Sequence, residues 1–371
     1  MPRQANAIDF WRGFALVSIF INHIPGVYYS QFTHGNYSIS DSADLFVFLA
    51  GWSLRYLVKS VKTRPTWFLV LRLFSRAAQI YAAQILITMI AIAMLATAAT
   101  LLENPLLLEW HNAAAVFYDP VPTHIGLALI THQLGYFDIL PLYVVLMLMA
   151  PGIAVIDRYW PNLLLPLSFA LYCVVLAFQI IPPTWPVSGE WFFNPLAWQL
   201  IFVLGFVLAK DEGIGGLVHR NIKWLRFAAV PVVVAGIWVM IYDWWPDPTE
   251  YPEWALFFVN NSKTYESPPR LIQFLALVAM MSGVFPLIHR FAPPLTNVLS
   301  MLGRNSLPVF CVGSVLSLAG QITRFVYEGF VSVDTVVVTL GLCVMVLTAW
   351  LAEWRDRARV QVPAQLPARS S

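Results

Sequence analysis

Asp9, Arg12 and His23 all fall within the first apolar stretch, which runs from Ala7 through Gly13 to Asn22 and His23. An ionisable group in hydrocarbon costs several kcal/mol unless it faces protein or water, so each marks a candidate functional position. On a helix, the eleven residues from Arg12 to His23 end within roughly 20° of whole turns and rise about 16 Å, which puts both side chains on one seam at different depths. Asp41 and Asp44 share a face at the start of the next apolar run, and a carboxylate beside an imidazole raises its basicity and fixes its tautomer, as a general base requires. His23 paired with Asp44, with Asn22 next to it as an oxyanion donor, is the catalytic reading. Arg72 and Arg76 stand at i and i+4 before the third run; like charges on one face repel and favour a bound anion such as phosphate.

Each of these readings has a plainer rival. Asp9 and Arg12 pair across one turn and snorkel while His23 packs between helices, Asp41 is a helix cap, and the two arginines meet lipid headgroups. Asp138, Glu190, Trp191, Asn194, Trp198 and Gln199 gather at expected outer helix ends as acceptor-binding candidates, or as caps and interfacial anchors. Arg304 and Asn305 mark an inner helix end, where Arg304 is a donor-site candidate or an anchor. His34, His111, His124 and His132 lack a ligand pattern such as His-x-x-x-His, so no metal is expected. Cys173, Cys311 and Cys343 lie apart in apolar runs and are expected to form no disulfide.

The elements that must position these residues are membrane helices. Of 371 residues 59% are hydrophobic and 11% charged, with a mean hydropathy of +0.68, against roughly 25% charged in soluble domains. That composition excludes an ordinary soluble protein and a disordered one, and a net charge of +2 without a basic stripe excludes a nucleic-acid partner. Ten apolar runs approach the length of about 20 residues that spans a bilayer: 7–29, 43–58, 77–101, 137–156, 163–181, 196–209, 227–242, 271–288, 299–320 and 334–352.

With the N-terminus cytoplasmic, 17 Lys and Arg fall inside (Arg3, Arg55, Lys59, Lys62, Arg64, Arg72, Arg76, Arg158, Lys210, Arg220, Lys223, Arg226, Arg290, Arg355, Arg357, Arg359 and Arg369). Only 3 fall outside, Lys263, Arg270 and Arg324, so both termini are expected in the cytoplasm. Acidic residues, Glu253 among them, crowd the outer side. The expectation is an all-α, polytopic integral membrane protein with about ten transmembrane helices, one domain over 1–352 and a cytoplasmic tail over 353–371. The first helix, with its Asp and Arg and no small-residue cleavage site after it, reads as an uncleaved anchor. Two outer segments, 102–136 and 243–270, are long for connectors, and the second carries Trp244, Trp245, Pro246, Tyr251 and Trp254, suited to sugar rings or to an interfacial belt.

The chain resembles the membrane-bound acyltransferase-3 superfamily: an Arg followed eleven residues later by a His in the first helix (Arg12, His23), an Arg-x-x-x-Arg at the third (Arg72, Arg76), and an acidic and Phe-rich segment ending in Gly (Asp44 to Gly51). Ala50 stands where that segment usually has Ser. More narrowly it resembles OpgC-type proteins, named for succinylating osmoregulated periplasmic glucans. The segments that carry this likeness are Ala7 to Gly13, the Asn22–His23 pair, Phe137 to Tyr143, Phe193 to Gly205 and Leu302 to Phe310.

The resemblance implies a bacterial inner-membrane O-acyltransferase. Cytoplasmic acyl-CoA, succinyl-CoA favoured over acetyl-CoA, would dock its phosphates near Arg72 and Arg76, with Arg12 and Arg304. A periplasmic glucan or other glycan would enter from outside, met by Asp41, Asp138, Glu190, Trp191, Asn194 and Gln199. Either His23 deprotonates the hydroxyl, oriented by Asp44, or His23 is itself acylated. Membrane lipids and CoA are the other partners, and a homo-oligomer is left open. The competing class is a transporter or acyl-group carrier with an intramembrane His/Asp proton relay. Against it stand the absence of inverted repeats and the presence of inner cations suited to phosphate.

Overall fold

The computed structural model describes residues 4–61, 63–245, 247–252 and 262–361. Arg3, Lys62, Pro246, Glu253, Trp254 and Arg369 lie outside the described residues. Among the described residues there are helices and no strand, only one isolated bridge between Pro183 and Glu190. The main helices are α1 (Ala7–Asn22), α2 (Ser42–Ser60), α3 (Thr66–Leu101), α4 (Ile139–Tyr159), α5 (Leu164–Phe178), α6 (Pro195–Leu208), α7 (Gly213–Arg220), α8 (Ile222–Tyr242), α9 (Pro268–Met281), α10 (Val284–Phe291), α11 (Pro293–Arg304), α12 (Ser306–Val326) and α13 (Val331–Gln361).

Their starts follow local rules. Asn6 caps α1 by accepting from the Asp9 amide at 2.9 Å. Pro195, Pro268 and Pro293 open α6, α9 and α11, where a missing N–H leaves no hydrogen bond unmade. Among the described residues five helices are long and apolar enough to cross a membrane, α3, α4, α8, α12 and α13, or six if the bent pair of α9 and α10 is one span. The protein is therefore a helical membrane protein.

Helix lies within each of the ten expected spans, but fewer of these helices have the length and apolarity of a membrane crossing, and the bounds shift. The first helix ends at Asn22 with His23 as its C-cap, not at 29, because Pro25 cannot continue it. The third starts at Thr66, after Pro65, eleven residues before the expected 77, and carries Arg72 and Arg76 toward its N-terminal end. The ninth expected span, 299–320, crosses a break at Asn305, and the apolar helix is α12. The last helix continues past 352 to Gln361, so the expected tail begins as helix. The long segment 102–136 holds a 3-10 helix over Pro105–Asn112 and two short helices, Ala114–Tyr118 and Pro120–Ala128.

The chain divides into two compact units. The first comprises Met1–Tyr28 with Phe285–Ser371, the second Tyr29–Val284. In the first unit α1 packs on α11 and α12, and α13 packs on α12 and α11. The closest crossing is at Gly13 and Gly303: a Cβ on Gly13 would sit 1.9 Å from the Leu299 carbonyl oxygen, and one on Gly303 1.8 Å from that of Asp9. In the second unit α6 is central, packing on α2, α4 and α5, with Trp198, Phe202 and Phe206 fully buried. Here too two glycines let backbones meet. A Cβ on Gly51 would lie 1.8 Å from Phe202 O, and one on Gly205 2.0 Å from Phe48 O.

Candidate functional site

In the first unit, His23 is the C-cap of α1. Its backbone is held from two sides. The Gln321 amide of α12 donates to the His23 carbonyl at 2.5 Å, and Arg324, one turn on, donates to the carbonyls of Pro25 and of Gly26, the latter at 2.7 Å. Asp334, nearly inaccessible, accepts from Arg324 Nε at 2.6 Å and from the Tyr28 amide at 2.7 Å. This latch fixes the turn that follows the histidine. Asn22, the last residue of α1, precedes it.

At the other end of α1, Arg12 lies 3.6 Å from Asp9 and donates to the Gly303 carbonyl at 3.4 Å, so the snorkelling-type pair is present. Arg304 binds Glu353 of α13 at 2.8 Å through Nη2 and keeps a buried Nη1 without a hydrogen-bond partner among the described residues.

In the second unit, Asp41 and Asp44 form a capping box at the start of α2: Asp41 accepts from the Ala43 amide at 2.8 Å, and Asp44 from the Asp41 amide at 2.6 Å. Asp44 is fully buried. Arg270, from the first turn of α9 and 4% exposed, forks onto it with Nη2–Oδ2 at 2.5 Å and Nε–Oδ1 at 3.1 Å. The same guanidinium reaches Asp41 at 3.2 Å, Glu266 at 3.2 Å and the Ile39 carbonyl at 2.9 Å. Lys263 completes the cluster at 2.6 Å from Asp41, lies over the rings of Phe192 and Phe193, and is within electrostatic reach of Asp138.

Burial, with the Asp44 carboxylate beside it, pushes the Glu266 carboxyl well above its ordinary range. Burial also acts upward on Asp41, but Lys263 and Arg270 outweigh it and hold that carboxyl well below its ordinary range.

The other sequence candidates take varied places. Asn194 is buried as the cap of α6, accepting from Leu196 N and donating to the Ile180 carbonyl at 2.7 Å. Gln199, also buried, exchanges hydrogen bonds with Ser168 and joins α6 to α5. Trp191 is buried with its indole N–H unpartnered among the described residues, and Glu190 is exposed. Arg72 and Arg76 project from the exposed face of α3, because Leu69, Leu73, Ala77 and Ile80 form its buried stripe; Arg76 donates to Gln79 at 3.2 Å. Among the described residues no group of His, Cys, Asp and Glu is placed to hold a metal.

Arg270, Glu266, Gln321, Arg324 and Asp334 were not singled out from the sequence as site residues. A signal existed for three of these: Glu266 and Arg270 stand at i and i+4, and Arg270 and Arg324 are among the few cations that the Lys and Arg count leaves on the expected outer side.

The segments that carry the family likeness are packing partners. Ala7 to Gly13 crosses Leu302 to Phe310 through Gly13 and Gly303, and Asp44 to Gly51 crosses Phe193 to Gly205 through Gly51 and Gly205. Phe137 to Tyr143 joins the second pair, with Tyr143 Oη donating to the Phe46 carbonyl at 2.6 Å. A family described as OpgC protein matches residues 3–357. The chain belongs to the OpgC family. Membership of the OpgC family implies an acyltransferase in general terms and suggests a glucan as what is modified. No curated protein and no solved structure matches the chain.

Proposed function

We propose that this OpgC-family protein is a transmembrane O-acyltransferase of the bacterial inner membrane, moving a succinyl group from cytoplasmic succinyl-CoA to a hydroxyl of a periplasmic glucan. About ten spans with both termini cytoplasmic, formed by a single domain over 1–352, give the donor and the acceptor opposite faces. The observation that carries the reading is the family match over residues 3–357.

His23 takes the proton as the sugar oxygen attacks the thioester carbonyl; the C–S bond breaks and CoA leaves as its thiol. A positioned base contributes about 10² to 10⁴ in rate. The latch of Gln321, Arg324 and Asp334 supports that role, since it fixes the backbone that carries and follows His23. Asp44 orients the imidazole, and Asn22 stabilises the oxyanion. Asp44 is suited to this because Arg270 and the Asp41 amide hold it rigidly while using three of its roughly four acceptor positions. Arg12 and Arg304, with Arg72 and Arg76, attract the donor's phosphates. Arg304 brings an unused buried N–H to this task. Asp41, Asp138, Glu190, Trp191, Asn194 and Gln199 border the acceptor's entry.

The test is CoA release by purified wild type and His23→Ala given succinyl-CoA or acetyl-CoA with a soluble β-glucan. Acceptor-dependent release with succinyl-CoA, lost in a folded His23→Ala protein, is expected. Release from neither donor, together with no CoA binding, would refute the enzyme and favour a transporter.

A further inference from the structure

Where the C-terminal ends of α2, α4 and α6 meet the start of α3, the second unit encloses a cavity of about 580 Å³. None of its lining residues belongs to the site described above. At its heart Asp157 of α4, 7% exposed, receives Arg55 of α2 at 2.9 Å and Lys210, which follows α6. Both cations also sit 5.6 Å from the ring centroid of Phe206. The cavity floor is thus two cations on one buried carboxylate, a fixed excess of one positive charge.

Lys59 and Arg158 add two more cations at the mouth, both exposed. The remaining carboxylates of the lining, Asp211 and Glu212, are exposed to water, and Lys59 meets Asp211 only at 3.9 Å. Water screens them more than it screens the floor. Five guanidinium N–H donors on Arg55 and three on Lys210 exceed what Asp157 alone accepts, so donors remain for an oxyanion. A guanidinium beside an ammonium in a partly desolvated pocket suits a phosphate ester's charge and its fork of oxygens.

We infer that this cavity is a phosphate-ester site, with Arg55 and Lys210 gripping the phosphate from below and Lys59 and Arg158 admitting it at the rim. Its end of the unit is the one that the Lys and Arg distribution assigns to the cytoplasm. Two sources carry that chemistry there, a soluble nucleotide such as the 3′-phosphorylated end of an acyl-CoA and the headgroup of an anionic inner-leaflet lipid. In the first case the inference rests on the acyltransferase reading and completes its donor site, and in the second it stands alone.

The experiment uses the full chain in phosphatidylcholine nanodiscs. One arm titrates adenosine 3′,5′-bisphosphate calorimetrically; the other adds an equal share of phosphatidylglycerol to the nanodiscs and counts phosphatidylglycerol against phosphatidylcholine retained on the protein by native mass spectrometry. The variants are Lys210→Gln, which leaves Asp157 paired with Arg55, and the exposed double variant Lys59→Gln/Arg158→Gln, which leaves the buried pairs intact. One probe is expected to bind the wild type, with affinity about tenfold weaker in each variant, as the loss of a charge-assisted contact predicts. If neither probe binds, or if both variants match the wild type, the inference falls. Succinyl transfer at wild-type donor KM in both variants, with unchanged lipid retention, would overturn it while leaving the acyltransferase standing. Variant-sensitive binding in a protein without transfer activity would do the reverse.

Discussion

Arg270→Gln is the most informative perturbation of the cluster at the start of α2. The guanidinium is 4% exposed and makes four hydrogen bonds, two to Asp44, one to Glu266 and one to the Ile39 carbonyl, at 2.5 to 3.2 Å. Glutamine leaves Asp41 and Asp44 ionised with Lys263 as the only remaining cation of the cluster. Breaking a buried pair by removing one partner costs about 3–5 kcal/mol, because a charge is left uncompensated. Asp44→Asn is milder, about 2 kcal/mol, since it removes hydrogen bonds to a charged group while Arg270 keeps Asp41 and Glu266. In the double variant the uncompensated carboxylate is gone, so its cost should fall short of the sum by about 2 kcal/mol. Unfolding of the four proteins in mixed micelles by increasing SDS mole fraction, followed by tryptophan fluorescence, measures all three values. A cost below about 1 kcal/mol for Arg270→Gln, or additivity within about 0.5 kcal/mol, would refute the charge accounting.

Glu266 gives a pH test. Its carboxyl is raised above its ordinary value of 4.5, so the folded state holds a proton that the unfolded state releases. Its contribution is complete below 4.5 and is lost as pH rises toward the folded value; Glu266→Gln should flatten that decline in SDS-unfolding stability, and an unchanged slope would refute the assignment. Gly13→Ala and Gly51→Ala each drive a Cβ to within 2.0 Å of a carbonyl oxygen and should destabilise by about 1–3 kcal/mol or more, whereas Gly152→Ala, with nothing within 4 Å, should be tolerated; the same titration decides. Asp334→Asn weakens the latch behind His23 and should lower the rate of CoA release without changing donor KM; a change in KM alone would argue that Asp334 acts on binding.

Helix positions were legible because their signals are local. Apolar runs of spanning length, Pro195, Pro268 and Pro293 at helix starts, and Asn6 before Ala7 mark elements from the chain alone. Where the reading slipped, a breaker lay inside an apolar run and length prevailed over it: Pro25 after His23, and Asn305 between α11 and α12.

The partners of the charges are another matter, because an ion pair between residues 44 and 270 leaves no trace in either neighbourhood. The expected topology leaves Lys263, Arg270 and Arg324 as three exceptions to the basic-residue count. Only the fold brings Lys263 to Asp41, Arg270 to Asp44 and Arg324 to Asp334 and so makes each cation tolerable where it stands. The motif glycines follow the same division. Their spacing is visible in the chain, but the carbonyl each must admit comes from a helix up to some 290 residues away, as with Gly13 and Leu299. Local sequence determines where a helix starts, stops and turns its apolar face, because those depend on neighbouring side chains and backbone. Which buried charge is neutralised, and by whom, is decided by packing, since the energy of a buried charge depends on whatever tertiary contact lies within a few ångströms of it.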